Sequence, residues 1–347
     1  SMCAGITLGK YGDEWDNRAG SAPGYVGTIQ RALTNGWNAG MIGHHIVRNN
    51  DISHCEQGGV VGSLGGAFST ISGNHIHDIH IMNWFSGAEM AGIKLHGAID
   101  VTIAHNHIER CCLGTWLDWM AQGTRVTGNL YHDNQSDIFL EVDHGPFVLD
   151  NNLFLSRNAL SVNSQGGALV HNIFAGAFRL YPFDARETPF LKAHSTELAG
   201  LHDNPDGDLR FYNNIFYRPF NLSKLDKPKL PVSMDGNVFL NGAKPSRWEK
   251  DPIVTTNAVP AVQLTERRGH YYLRMKLSKR LTAERTRKLV TTAVLGNAII
   301  PNLPFEQPNG EPISISTDYL GRSRNESNPM PGPFEKSSSG NLVFKVW

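Results

Sequence analysis

Asp118 and Glu141 close two short apolar runs of similar shape, "TWLD" and "IFLE", 23 residues apart. Two carboxylates on one surface can attack an acetal carbon and pass a proton to its oxygen, provided they are held in different protonation states. Residues this far apart in the chain share a surface only if the intervening elements return to the same place.

A repeat supplies that return. An Asn followed two positions later by a large apolar residue occurs at Asn50, Asn74, Asn106, Asn129, Asn152, Asn172, Asn214 and Asn237. The intervals are 24, 32, 23, 23, 20, 42 and 23, a unit near 23 residues with insertions in two units. The units are short β-branched or aromatic runs broken by Gly, Asn and Asp, without the Leu offsets and helical segments of leucine-rich repeats. The spacing predicts an all-β fold, a parallel β-helix over residues 1–256, in which stacked coils bury a core that no single coil could bury. The recurring Asn is then a corner ladder, its side chain bonded to the coils on either side.

Residues 257–347 lose the repeat and read as a separate β-rich region, with "RLTAERTRKL" as a short helix and "RSRNESNPMPGPFEKSSSG" as a long loop. At the front, "TIQRALTNGW" predicts one or two helical turns before coils begin near His44.

Aligned on the asparagines, "GIKLH", "GTWLD", "IFLE" and "LSVN" fall into register, with Ser63 heading the column. His96, Asp118, Glu141 and Asn163 form one polar column, and Leu95, Leu117, Leu140 and Val162 an aliphatic column facing the other way. Lys94, Trp116, Phe139 and Ser161 share the polar, outer face. Adjacent strands lie about 4.8 Å apart, which places the two carboxylates near the ~5–5.5 Å of retaining glycosidases, short of the ~6.5–9.5 Å of inverting ones. Like charges this close push one pKa upward, leaving one group to donate a proton while the other stays ionised. Trp84, Trp116 and Trp119 add apolar faces on which a sugar ring can stack.

Composition limits the alternatives. Lys plus Arg and Asp plus Glu both number 32, so no net field draws in nucleic acid or an anionic membrane. No run approaches the ~20 apolar residues of a membrane span. Cys3, Cys55, Cys111 and Cys112 lack metal-binding or disulfide-framework spacing and suit a reducing, cytoplasmic compartment, with export left open because the natural start can lie upstream of Ser1. "HIHDIH" holds His75, His77 and His80, but alternation puts His80 on the other face and no Cys or acidic ligand completes a zinc site, so neither metal nor other cofactor is expected. "HDNPDGD", residues 202–208, does not have the spacing of an EF-hand loop and reads as an exposed turn.

The stretches "GAEMAGIKLHGAIDVTI", "WLDWMAQGTRV", "EVDHGPF", "NSQGGALVHN", "HSTELAGLHDNP" and "TDYLGRSRNESNPMPGPFE" resemble glycoside hydrolase family 120, the β-xylosidases, from about Gly9 to the C-terminus. The resemblance implies a right-handed parallel β-helix with an associated β-sandwich of jelly-roll type. It also implies retaining, exo-acting hydrolysis of xylo-oligosaccharides, hence a part in xylan degradation, with Asp118 as nucleophile, Glu141 as acid/base and Glu89 as a further carboxylate near the sugar. Family members are longer, and the resemblance implies that this chain is a C-terminal portion of such a protein.

Around the pair, Glu89, Lys94 and His96 are expected to hydrogen-bond sugar hydroxyls, with Trp84, Trp116 or Trp119 as the stacking platform. His144, Gln165 and His194 join the candidates because they follow or face the same column. A β-helix glycosidase acting on another sugar, of fucosidase or galactosidase type, stays open, as does a noncatalytic carbohydrate-binding solenoid. A pectate-lyase reading needs a calcium-binding carboxylate cluster beside an Arg base, which the column lacks. The oligomeric state, a homo-oligomer included, is left open.

Overall fold

The computed structural model describes residues 3–10, 22–84, 90–255, 262–277, 285–336 and 340–347. Three parallel sheets of seven, nine and nine strands form a β-helix, the first seven coils giving one strand to each sheet and the last two giving strands to the second and third alone. The coil repeats because each corner into the third sheet is made the same way. The residue before each repeating Asn, from Asn49, Gly73 and His105 to Gly128, Asn151, His171, Asn213 and Gly236, has a left-handed φ of 52° to 76°. That bend aims the next Asn across the stack. Asn106 donates both its backbone N–H and its Nδ2 to Asn129 Oδ1, at 2.8 and 3.0 Å, and every rung from Asn50 to Asn237 repeats the pattern. Glu249 closes the ladder, its carboxylate accepting from Asn237. A buried donor without a partner costs about 1–3 kcal/mol, so each Asn both satisfies its neighbour and fixes the register of the coil.

Inside, the residue two after each Asn joins a stack: Tyr131, Phe154, Phe174, Phe216 and Phe239 follow at centroid spacings of 5.0, 5.0, 5.4 and 5.2 Å. The aliphatic column Leu95, Leu117, Leu140 and Val162 closes the core from the first sheet, every member fully buried.

Three additions cover the solenoid. The helix Ala22–Thr34, longer than the predicted turns, packs through Tyr25, Ile29 and Ala32 against Leu64, Trp119 and Leu191. A hairpin of Phe183–Leu191 and Leu198–Pro205 fills the 42-residue interval between Asn172 and Asn214. The C-terminal region adds a three-stranded and a two-stranded antiparallel sheet. Its Leu273, Met275, Leu342 and Phe344 lie on the outer face of the third sheet, and Phe305, Ile313 and Ile315 on that of the second.

Two sequence expectations need correction. The first strand of the solenoid is Ile6–Lys10, paired with Gly58–Ser63, ahead of the expected start near His44. The "HDNPDGD" segment is not an exposed turn: His202–Pro205 belongs to the hairpin, and Asp206 and Asp208 are buried, Asp208 holding Arg210 and the Ile299 amide. Of "RLTAERTRKL", residues 280–284 lie outside the described residues and the remainder is not helical. No helix among the described residues is long and apolar enough to cross a membrane.

Candidate active site

Ser63, His96, Asp118, Glu141 and Asn163 are consecutive register partners, each the last residue of a strand in the first sheet. Parallel pairing forces this. With the Asn ladder setting one coil against the next, residues at equal offsets stack at the strand spacing of about 4.8 Å. Asp118 and Glu141 are therefore neighbours on adjacent rungs.

Their surroundings differ. Asp118 Oδ2 accepts from Lys94 Nζ at 2.5 Å and His96 Nε2 at 2.9 Å, while Oδ1 accepts the Trp119 amide at 2.7 Å. An ionised carboxylate only accepts, so His96 carries its proton on Nε2, and Lys94 Nζ, 3.2 Å from that nitrogen, is its neighbour rather than its donor. Burial pushes the Asp118 carboxyl up, but the charges and hydrogen bonds of Lys94 and His96 outweigh it and hold the group below the usual carboxylate range.

Glu141 Oε2 accepts from Trp116 Nε1 at 3.0 Å, and Oε1 from Arg186 Nη2 at 2.8 Å. Burial and the adjacent Asp118 charge push the Glu141 carboxyl up, against the opposing pull of Arg186 and Lys94. One carboxylate is biased towards ionisation and its neighbour towards holding a proton, the division of labour that acid/base chemistry on an acetal requires.

Lys94 is almost fully buried, its ammonium 3.5 Å over the centre of the Trp116 ring. Trp116 stacks in turn on Phe139, at 5.6 Å. Lys94, His96 and Trp116 thus all reach the pair.

Two contributors come from outside the repeat. Arg186, on the hairpin, is clamped by Asp184, whose Oδ2 accepts from Arg186 Nη2 at 2.7 Å and from Asn163 Nδ2 at 2.9 Å. Tyr25, on the helix, is buried against Trp119 at 4.8 Å and hydrogen-bonds Arg186. Burial pushes its hydroxyl up. Sequence reasoning missed all three residues; the one signal available, for Asp184 and Arg186 alone, was the 42-residue interval, which marks an insertion beside this face of the solenoid.

The other candidates lie elsewhere. Trp119 is 3% exposed, wedged between Tyr25 and His96, and so supports the wall without offering a free face. Trp84 sits before the N-terminal end of the strand Ala91–His96, its amide held by Glu56, whereas the pair sits at the C-terminal ends. Glu89 lies outside the described residues. His144 is buried, bonded to Gln165 at 3.0 Å and to Thr188 of the hairpin, and burial pushes it down to about 4. His144 and Gln165 therefore anchor the hairpin that carries Arg186. His194 bridges Asp100 and Glu306 at 2.9 and 3.2 Å, fastening the hairpin loop to the C-terminal region.

Comparison with known proteins agrees with this architecture. The family described as "Right handed beta helix region" matches residues 28–175. A solved structure described as "The complex structure of XylC with xylose" superposes with a TM-score of 0.93 at 35% sequence identity. The match covers 100% of this chain and 59% of that one, so this chain spans well under two thirds of the length of XylC. No curated protein matches. The chain is thus a parallel β-helix that is similar in sequence and fold, over its whole length, to XylC, a protein whose structure was solved in complex with xylose.

Proposed function

We propose that this chain is a retaining, exo-acting β-xylosidase of the glycoside hydrolase family 120 type, acting on xylo-oligosaccharides. The observation that carries the reading is the register pairing of Asp118 with Glu141 in environments that drive their protonation apart. One rung of a parallel ladder, about 4.8 Å, suits direct attack and leaves no room for the water of an inverting mechanism. The choice of sugar is supported by the similarity to XylC, whose structure holds xylose.

In the first step the Asp118 carboxylate attacks the anomeric carbon while Glu141 protonates the departing glycosidic oxygen, giving a xylosyl ester on Asp118. In the second, the Glu141 carboxylate takes a proton from water as that water attacks the same carbon, breaking the ester and releasing xylose. Lys94 and His96 stabilise the Asp118 carboxylate, which favours its departure. Arg186 keeps Glu141 aimed and limits how far its pKa rises.

Azide rescue separates the roles. With an aryl β-xyloside, Asp118→Gly is expected to lose at least ~10³-fold in kcat and, given azide, to form the α-xylosyl azide. Glu141→Ala is expected to form the β-xylosyl azide through the covalent intermediate. Turnover near the unmodified level by either variant contradicts the scheme.

A further inference from the structure

On the third sheet, away from the carboxylate pair, a second polar cluster is assembled by the same stacking. His75, His107 and Leu130 are register partners on successive strands, as are His77, Glu109 and His132. His75, His107 and Glu109 each offer a ligand atom within 4.8 Å of the others. His75 Nε2 lies 3.0 Å from Glu109 Oε1, and His132 Nε2 lies 3.4 Å from Glu109 Oε2 and 2.7 Å from His107 Nε2. The 3.0 Å to Oε1 and the 2.7 Å between the two imidazoles lie near, and slightly inside, the ~3.3 Å edge of a tetrahedron whose metal–ligand bonds are ~2.0–2.1 Å.

The surroundings point the same way. His75 Nδ1 lies 3.3 Å from Asp51 Oδ2, and His132 Nδ1 lies 2.7 Å from Asp133 Oδ2. For His132 the carboxylate on Nδ1 fixes the proton there and leaves the Nε2 lone pair turned inward, the outer-shell pattern of metal-bound histidines, whereas His75 has a carboxylate at each ring nitrogen. His107 is fully buried and its Nδ1 has no hydrogen-bond partner among the described residues, so the cluster lacks a full set of partners as it stands. Arg110 holds Glu109 Oε2 at 2.6 Å, which leaves Oε1 as the ligand atom.

We propose that His75, His107 and Glu109 bind one divalent first-row transition-metal ion, zinc by the chemistry of imidazole and carboxylate donors, with His132, 2.7 Å from His107, beside the fourth position. Tyr271 and Trp347 of the C-terminal region lie on His107 at 4.5 and 5.2 Å, so the ion fastens that region to the solenoid. An open cleft lined by Glu109, His132, Asp133, Glu266 and Tyr271 gives access from solvent. "HIHDIH" alone concealed the site because its missing ligands come from later coils, across the 32-residue interval between Asn74 and Asn106.

The test uses the full chain, without a histidine tag and stripped by chelator. Titration with Co²⁺ is expected to give visible d–d absorption of a tetrahedral nitrogen/oxygen site, saturating at one equivalent and displaced by Zn²⁺, and Zn²⁺ is expected to raise Tm. The double variant His75→Asn/Glu109→Gln, with its fold checked by circular dichroism, is expected to bind at least ~100-fold more weakly. Failure of the unmodified chain to bind one equivalent overturns the proposal whatever the variant does. So does undiminished affinity in a folded double variant.

Discussion

With Lys94 and His96 on one carboxylate and Arg186 on the other, the pH profile of the proposed reaction has an assignable cause for each limb. Asp118 must be ionised to attack, so activity is full above its lowered pKa and is lost as pH falls through it. Glu141 must be protonated to act as acid, so activity is full below its raised pKa and is lost as pH rises through it. Arg186 pulls the Glu141 pKa down, and Arg186→Gln removes that pull. The variant is therefore expected to shift the alkaline limb of kcat/KM to higher pH, with the acid limb little changed. An alkaline limb that stays put or moves down contradicts the role given to Arg186. At this scale the sequence made the register of Lys94, His96, Trp116, Asp118 and Glu141 legible, because all five lie on repeating strands. Arg186, Asp184 and Tyr25 lie on elements that break the period, and no spacing rule connects them to it. Trp119 was misplaced because alternation ends with the strand: beyond Asp118 the chain turns, and the indole enters the wall between helix and solenoid.

The strand ladder owes its register to the asparagines. Asn129 accepts two hydrogen bonds from Asn106 and gives two to Asn152, all buried. Asn129→Ala leaves the Asn106 donors without an acceptor, at a cost of about 2–4 kcal/mol, since each orphaned buried group costs ~1–3 kcal/mol. A fall in Tm and in denaturant midpoint measures this, and an unchanged midpoint contradicts the ladder's structural role. The 23-residue unit and the Asn column were readable because each coil solves the same corner with the same residue. The start of the solenoid was not, since Ile6–Lys10 lies before any ladder Asn.

The whole molecule is a solenoid whose outer faces are covered unevenly. One residue after each ladder Asn, the third sheet changes from Asp51, His75 and His107 to Leu130, Leu153, Ile173, Ile215 and Val238, and the apolar stretch is where the C-terminal sheet lies. The sequence showed these aliphatic residues, but an apolar outer column looks like core until the element covering it is known. The first sheet keeps its polar column, and the helix and hairpin close around it, so the fold holds two acids one rung apart. Retention of configuration is the consequence that the intact chain must display if the account is right. Time-resolved proton NMR of an aryl β-xyloside with the full chain tests it. The account predicts that β-xylose appears first and mutarotates to the equilibrium mixture; α-xylose as the first product contradicts it, because a water must then have attacked where Asp118 is placed.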